Sequence, residues 1–340
     1  MDPAPERLQR EYTSDELTAA GYEDLIGQDS PCLVVAASAP TYAGRANGLP
    51  CRADGAAFSA LAGEYGYAIA PTLLHGAHTY GQRSFDLRFE SSIATINSSQ
   101  SYWKLGTEGP PDPATHAASV RNKEPAPVLA LYGVRAHKGL PFGFETGAFF
   151  GWLGQTSLFV PGVSVRWAPK EGFREDLPGL LPDLSVGVQF RTITGTTKLQ
   201  AYTTSIDVEL SKRIVVANAL EFTPYLGGQR LIVATRSGSL DLTPNVDAND
   251  QCGFAGYDES RNHAKICSNG VGKNSDFANA HTYGTNVTYR TRVVTGAQVK
   301  REHFIGAAEL AFDVAEPGGE NPSLVGGRQL TFALSAGATY

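Results

Sequence analysis

The sequence predicts an all-β protein: an antiparallel transmembrane β-barrel of about ten strands, with twelve as the alternative, behind a short N-terminal extension containing helix. Three observations predict it. From residue 84 onward, apolar residues alternate with small or polar ones in segment after segment, as a strand between two unlike environments requires. Only 18% of the 340 residues are charged, while Gly (37), Tyr (14) and Phe (16) are plentiful; about a quarter charged is usual. Mean hydropathy is −0.19, and no stretch approaches the ~20 apolar residues of a membrane helix. A barrel escapes that test because alternation dilutes its apolar wall. The net charge of −6 supplies no basic face for nucleic acid.

Residues 1–55 read as a polar extension. Thr13 and Glu16 have capping-box spacing ahead of Leu17, Tyr22, Leu25 and Ile26, which predicts a short helix near 13–27. The segment 58–67 is ambiguous: its Ala and Leu favour helix, whereas Tyr65, Tyr67 and Ile69 alternate like a strand. Barrel strands are expected at 85–93, 128–137, 142–152, 159–167, 184–191, 202–211, 219–236, 288–300, 304–314 and 329–340. The last is the clearest, with Leu330, Phe332, Leu334, Ala336, Ala338 and Tyr340 on one face and Gln329, Thr331, Ser335 and Thr339 on the other. Pro224 calls for a local irregularity, since proline donates no ladder hydrogen bond. Twelve strands would result if segments near 31–40 and 58–70 also joined the sheet.

Parity checks the count. In a bacterial barrel with an even strand number both termini share the periplasmic side, where the turns are short. Counting back from Tyr340 with ten strands puts the longest connections, 97–127 and 237–287, together on the outer side. Residues 1–55 then become a polar periplasmic segment ahead of a barrel domain spanning 56–340, and a periplasmic protein is the partner expected for that segment.

Cys32 with Cys51 and Cys252 with Cys267 form two sequence-local pairs. An even count at such spacings reads as disulfides in an oxidising compartment, although four cysteines allow three pairings. His263 and His281 lie near the second pair without zinc spacing, so no metal is expected. Met1-Asp2-Pro3 opens directly into polar sequence, which fits a signal peptide already removed.

The polar faces carry Asp86, Arg88, Glu90, Arg135, Glu145, Arg166, Arg191, Asp207, Glu209, Glu221, Arg290, Arg292, Lys300, Glu309 and Asp313. If these line a lumen, eight acids meet seven bases. A charge-selective pore shows rings of one sign; near balance points to groups paired across a narrow barrel. Small barrels of about eight strands are filled by side chains, so a structural network is favoured over an ion pathway. Trp152, Trp167, Tyr202 and Phe142 near strand ends read as an interfacial girdle.

Other motifs are weak. Asp247, Asn249, Asp250, Asp258 and Glu259 place a Cys where the EF-hand Gly belongs. Gly270–Ser275 fails phosphate-loop spacing, and Asn286-Val-Thr288 is a sequon with little meaning in a bacterial outer membrane. His75 and His78 read as isolated loop histidines. GxSxG and HExxH are absent, and neither an enzyme nor a cofactor is expected.

The ending Leu330-Thr-Phe-Ala-Leu-Ser-Ala-Gly-Ala-Thr-Tyr340 resembles the C-terminal assembly signal of bacterial outer-membrane β-barrels, with Phe332, Leu334 and Tyr340 as its apolar and terminal aromatic positions. The segments Lys138–Glu145, Leu181–Val186 and Thr223–Gly227 are similar to strand entries in small barrels of gliding and predatory soil bacteria. The resemblance implies a Gram-negative outer membrane, with its lipid and the barrel assembly machinery as partners, and assigns no catalytic residue. Two functions are compatible with it. One is a porin-like, narrow small-solute channel. The other is a structural, adhesion or envelope-machinery component, for example in motility or secretion, that binds protein partners through its loops and N-terminal segment.

Overall fold

The computed structural model describes residues 1–10, 14–15, 52–109, 122–169, 182–216, 220–241, 257–258, 263–264, 280–315, 318–319 and 328–340. Ten strands form the wall: β1 (Phe85–Thr95), β2 (Val128–Gly139), β3 (Phe144–Leu153), β4 (Phe159–Trp167), β5 (Asp183–Thr192), β6 (Gln200–Ser211), β7 (Leu220–Arg236), β8 (Asn286–Arg301), β9 (Phe304–Asp313) and β10 (Leu330–Thr339). Each pairs antiparallel with the next, and β10 returns to β1 through a ladder running from Thr331↔Ala94 to Thr339↔Asp86. The sheet is therefore a closed ten-stranded barrel, as the alternation predicts. Pro224 needs no bulge: it falls one residue beyond the last β6 partner, Tyr225↔Ser211, and its carbonyl accepts from Lys212 N at 3.2 Å.

The two ends differ. At the turn end, β8 passes to β9 through Glu302 and His303, with Glu302 at φ 53°. The β2–β3 turn holds Phe142 and Gly143 at φ 62° and 74°. The C-terminal Tyr340 bonds to Phe85 at this end, through N–H···O contacts of 2.8 Å in both directions. The strand ends that bound the long connections, 96–127 and 237–285, lie at the opposite, loop end.

Burial along the wall is inverted relative to a water-soluble sandwich. Outward Phe89, Val163 and Val188 are 54%, 61% and 50% exposed, whereas inward Glu90 and Arg292 are 0%. Exposed aromatics gather at both ends and pair between strands. Tyr132 stacks on Trp152 (6.1 Å between ring centroids) and Phe150 on Phe159 (5.8 Å) towards the loop end. Phe144 stacks on Trp167 (6.0 Å) and His303 on Tyr340 (5.7 Å) at the turn end. Arg230 interrupts the apolar exterior. Its Nη1 donates to Thr291 Oγ1 at 2.5 Å, and its guanidinium lies 5.3 Å from the Tyr289 ring.

The segment 58–70 is not an eleventh strand. Helix α1 (Gly55–Ala68) sits inside the barrel at the loop end, started by Asp54, whose side chain accepts from Ala57 N at 3.0 Å. Every residue from Phe58 to Ala68 is buried, so no polar face marks a helical period, and the spacing of Tyr65, Tyr67 and Ile69 imitates a strand. Gly66 allows the close approach to β7, since a Cβ there would stand 2.2 Å from Val233 Cγ1. On one side of α1 the inner wall is itself apolar: Leu129, Leu131, Leu153, Val160, Leu199, Leu231 and Val233 join one core with Phe58, Leu61 and Tyr65. A second short helix, α2 (Ser101–Leu105), closes over it with the fully buried Trp103. Glu64 binds this lid, accepting from Asn97 N (2.9 Å), Tyr102 Oη (2.7 Å) and Trp103 Nε1 (2.7 Å). Burial and the Glu64 carboxylate hold the Tyr102 phenol well above the usual tyrosine range.

The N-terminal extension corrects an expectation. A place on the turn side was expected for residues 1–55, but residues 1–10 and 52–53 lie at the loop end. Gln9–Arg10 pair with Arg52–Ala53, and Pro3 bridges to Thr107. Asp2 Oδ1 accepts from Ser157 N and Oγ (2.6 and 2.9 Å), and Glu6 pairs with Lys198 at 2.7 Å. The interior core drives this placement, because Leu8 is 2% exposed within it. The segment 31–40 and most of the proposed helix 13–27 lie outside the described residues.

The β10–β1 seam yields a stability test. A Cβ on Gly337 would stand 2.0 Å from Leu87 O, whereas one on Gly306 has its nearest neighbour at 3.6 Å. Gly337→Val is expected to destabilise the barrel by about 1–3 kcal/mol through overpacking, with Gly306→Ala near neutral. Urea midpoints of the protein refolded into liposomes check both.

Candidate functional site

Below α1 the chain becomes an extended strap, residues 69–80, that descends the bore from the loop end to the turn end. Its path can be followed along β7. Gly66 lies against Val233, Pro71 O accepts from Gln229 Nε2 at 3.3 Å, Leu73 abuts Gly227, and Gly76 lies against Thr223. Pro71 and Gly76 keep the strap from continuing the helix, and it carries no charged side chain. A buried strand without sheet partners has peptide groups to satisfy, and the charged lumen residues satisfy many of them.

The donors are mainly arginines. Arg88 Nη1 reaches Leu74 O at 2.6 Å, and Arg135 Nη1 reaches Thr72 O and Leu73 O at 3.1 and 2.9 Å. Arg166 reaches Gly76 O (2.9 Å) and His78 O (3.2 Å), and Arg191 reaches Ala70 O (3.4 Å). Arg292 donates to Pro71 O. The acceptors for strap N–H groups are Glu309, from Leu73 and Leu74 (3.2 and 2.6 Å), Gln298, from Gly76 (3.3 Å), and Ser211 Oγ, from Ala77 (2.8 Å). Eight strands contribute, namely β1, β2 and β4 to β9.

The remaining valences join the wall groups to one another. Glu90 binds Arg135 (2.6 Å) and Arg191 (2.9 Å) and accepts from Thr72 Oγ1 (2.7 Å). Asp86 holds Arg88 (2.8 Å), Asp313 holds Arg290 (2.6 Å), and Arg166 bridges Glu145 (3.1 Å) and Glu209 (3.6 Å). Asp207 accepts from Gln189 (2.9 Å) and from Gln229. Glu221 faces Lys300 across the β7–β8 ladder at the turn end, both half-buried. A space of about 30 Å³ remains beside the strap near Arg166, Glu145 and Glu209, room for a water or two. Glu145 Oε2 and Glu209 Oε1 have no hydrogen-bond partner there.

The charged residues of the polar faces are organised around a buried strap that sequence reading missed. His75 and His78, expected as loop histidines, are only 2% and 3% exposed. The His75 ring packs edge-on to Tyr80 at 4.6 Å. Signals existed in the sequence. An uncharged run with a proline follows a helix whose only charged residue is Glu64. The strand segments Val128–Tyr132 and Leu231–Ala234 are apolar on both faces, as walls of an internal core would be.

Phe332, Leu334 and Tyr340 stand on the exterior, 43%, 47% and 72% exposed. The sequon's Asn286 and Thr288 face the interior, 6% and 2% exposed. Asp258 pairs with His263 in a small ladder, and His281 sets its ring edge-on to Tyr283 at 4.8 Å. Cys32, Cys51, Cys252 and Cys267 lie outside the described residues, as do Asp247, Asn249, Asp250 and Glu259.

No known protein family and no curated protein matches the sequence. Among solved structures, the chain is similar to Ail, the attachment invasion locus protein of Yersinia pestis, at 7% identity and a TM-score of 0.25, covering 76% of this chain and 98% of Ail. It is also similar to the outer membrane protein OprG of Pseudomonas aeruginosa (8%, TM-score 0.27, 78% and 97% covered). A third is the N-terminal β-barrel domain of OprF from the same organism (11%, TM-score 0.19, 76% and 99% covered). The barrel itself is established by its own closed ladder.

The strap's dependence on the wall can be tested at Glu309. Glu309→Ala removes the acceptor of two buried N–H groups and of Tyr225 Oη at 3.1 Å. Amide exchange at Leu73 and Leu74 is expected to rise about tenfold or more, matching the ~1–3 kcal/mol cost of orphaned buried donors, while β-strand amides keep their protection. Mass-spectrometric hydrogen exchange on liposome-embedded protein provides the reading.

Proposed function

We propose that this is an outer-membrane β-barrel whose bore is permanently occupied and whose function is exercised by its loop face: a membrane-anchored scaffold of the structural, adhesion or envelope-machinery kind. The membrane reading rests on the exterior. Apolar side chains are exposed on every wall strand, from Phe89 on β1 to Leu334 on β10. An apolar surface that closes on itself around the molecule exceeds any ordinary docking patch, and lipid is the partner that covers a full circumference. Aromatics at both ends suit the two membrane interfaces, and the exterior placement of Phe332, Leu334 and Tyr340 suits the assembly-signal role. With short turns inward and long loops outward, the loop end faces the exterior of the cell.

The single observation that favours a scaffold over a solute channel is the filled bore. α1, the strap and the α2 lid occupy it from end to end, and the spaces of about 30 and 10 Å³ beside the strap among the described residues admit water rather than solute. The charges that a channel would expose to ions are consumed by the strap and by each other. The second reading, a narrow channel, requires the strap to leave, which would leave Arg135, Arg88 and Glu309 with only their wall partners Glu90, Asp86 and Tyr225, at the cost of several charge-assisted hydrogen bonds.

Planar-bilayer recording separates the two. The intact protein is expected to pass no steady current, and the double variant Arg135→Ala/Glu309→Ala to show brief, irregular openings as the strap loosens. A steady, ohmic current from correctly folded wild-type protein would overturn the scaffold reading.

A further inference from the structure

We propose that the barrel is the route by which its own N-terminal segment reaches the cell exterior: residues 1–53 are displayed at the loop face, and residues 54–84 remain in the bore as the stalk that connects them to β1. The inference rests on the membrane reading above and adds a direction of transport to it.

Connectivity carries the argument. β1 begins at Phe85 beside Tyr340, at the turn end. Residues 2–8 are fastened at the other end. Ala4 N donates to Gly106 O and Glu108 N to Asp2 O, each at 2.8 Å, Tyr283 Oη donates to Leu8 O at 2.6 Å, and Lys198 pairs with Glu6. The chain joins these two ends through the bore, touching eight strands on the way. It does not pass between strands, because the ladder is continuous from β1 to β10 and back to β1. The segment therefore entered from the turn side, or the wall closed around it while its N-terminal end already protruded.

The stalk suits such passage. Ile69 to Tyr80 carries no charge and includes the small residues Ala70, Gly76 and Ala77. Most of its contacts to the wall run from wall side chains to strap backbone, with Thr72, His75 and Tyr80 adding side-chain contacts; none is a ladder bond, so they need no ladder register and can re-form as the chain advances. The bulkier α1 is seated last, at the loop end, where the inner wall turns apolar and Gly66 fits against Val233. The lid then locks it: Glu64 collects three hydrogen bonds from residues 97–103, and Phe58 stacks on Tyr283 at 4.3 Å. Helix, lid and ion pairs make a one-way stop against withdrawal.

Surface labelling of intact cells tests this. Short epitope tags are inserted singly between Ala37 and Ser38, between Asn274 and Ser275 in the long loop, and between Lys170 and Glu171 in the β4–β5 turn. Antibody is expected to label the first two on intact cells, and the third only after the outer membrane is permeabilised. Labelling at 274/275 on intact cells with 37/38 silent until permeabilisation overturns threading while leaving the membrane barrel standing. Recovery of every tagged protein in the soluble fraction overturns the barrel reading, and threading with it. Trypsin shaving of cells expressing the untagged chain gives a readout free of insertion effects. After reduction, the peptide Glu11–Arg45 is expected in the supernatant, and its recovery only from lysed cells would equally reject the proposal.

Discussion

A single extended strap hydrogen-bonded to the inside of its own barrel is the constraint around which the rest of this structure is arranged. Residues 69–80 have no strand beside them, yet they run through the interior. Arg88, Arg135, Arg166, Arg191 and Arg292 donate to their carbonyls, and Glu309, Gln298 and Ser211 accept from their N–H groups. Each partner solves the other's problem. Buried charges are costly unless paired and hydrogen-bonded, and buried peptide groups are costly unless bonded at all. Without the strap, Arg88, Arg135, Arg166, Arg191 and Arg292 would lose the backbone carbonyls they donate to. Without the wall, the strap's peptide groups have no partners in the bore.

The barrel consequently has two interiors. Near the loop end, the inner wall of β2–β4 and β7 is apolar and encloses α1 as a soluble protein encloses a core helix, while β8 and β9 set the buried Arg290–Asp313 pair against Tyr67 of that helix. Towards the turn end, the wall is charged and grips backbone instead. The exterior is apolar apart from positions such as Arg230, so loop-end residues of β2 and β7 such as Val128–Tyr132 and Leu231–Ala234 are apolar on both faces, while those lower down alternate. This division makes the β-wall continuous around two quite different fillings. Residues 1–10, the α2 lid and the connections at 153–158 and 197–199 are tied to one another by named hydrogen bonds rather than left as independent loops.

How far this could be read in advance follows from which features are local. The strands were legible because an alternating face is a property of neighbouring residues: Leu330 to Tyr340 displays its two sides without reference to anything else. The inward orientation of Asp86, Glu145, Arg191 and Asp313 followed from that same period. Helix α1 was obscured because it is buried on all sides, which erases the polar face that announces a helix. His75 and His78 looked solvated because nothing near them in sequence is charged or apolar enough to reveal that they lie inside a barrel. The placement of residues 1–10 at the loop end was misjudged because counting strands orients β1, but says nothing about a chain that doubles back through the bore before reaching it.

By itself, then, the sequence determined the wall: its strand number, its apolar outside and its near-neutral charged inside, since each is encoded in alternation over ten or so residues. Only the tertiary structure decided what that inside is for. Whether Arg135 and Glu309 line a water path, pair with each other, or hold a peptide backbone depends on groups separated from them by tens to hundreds of residues. The deciding quantity is the number of buried donors and acceptors left over once the wall closes, and that sum exists only when strap and barrel occupy the same space.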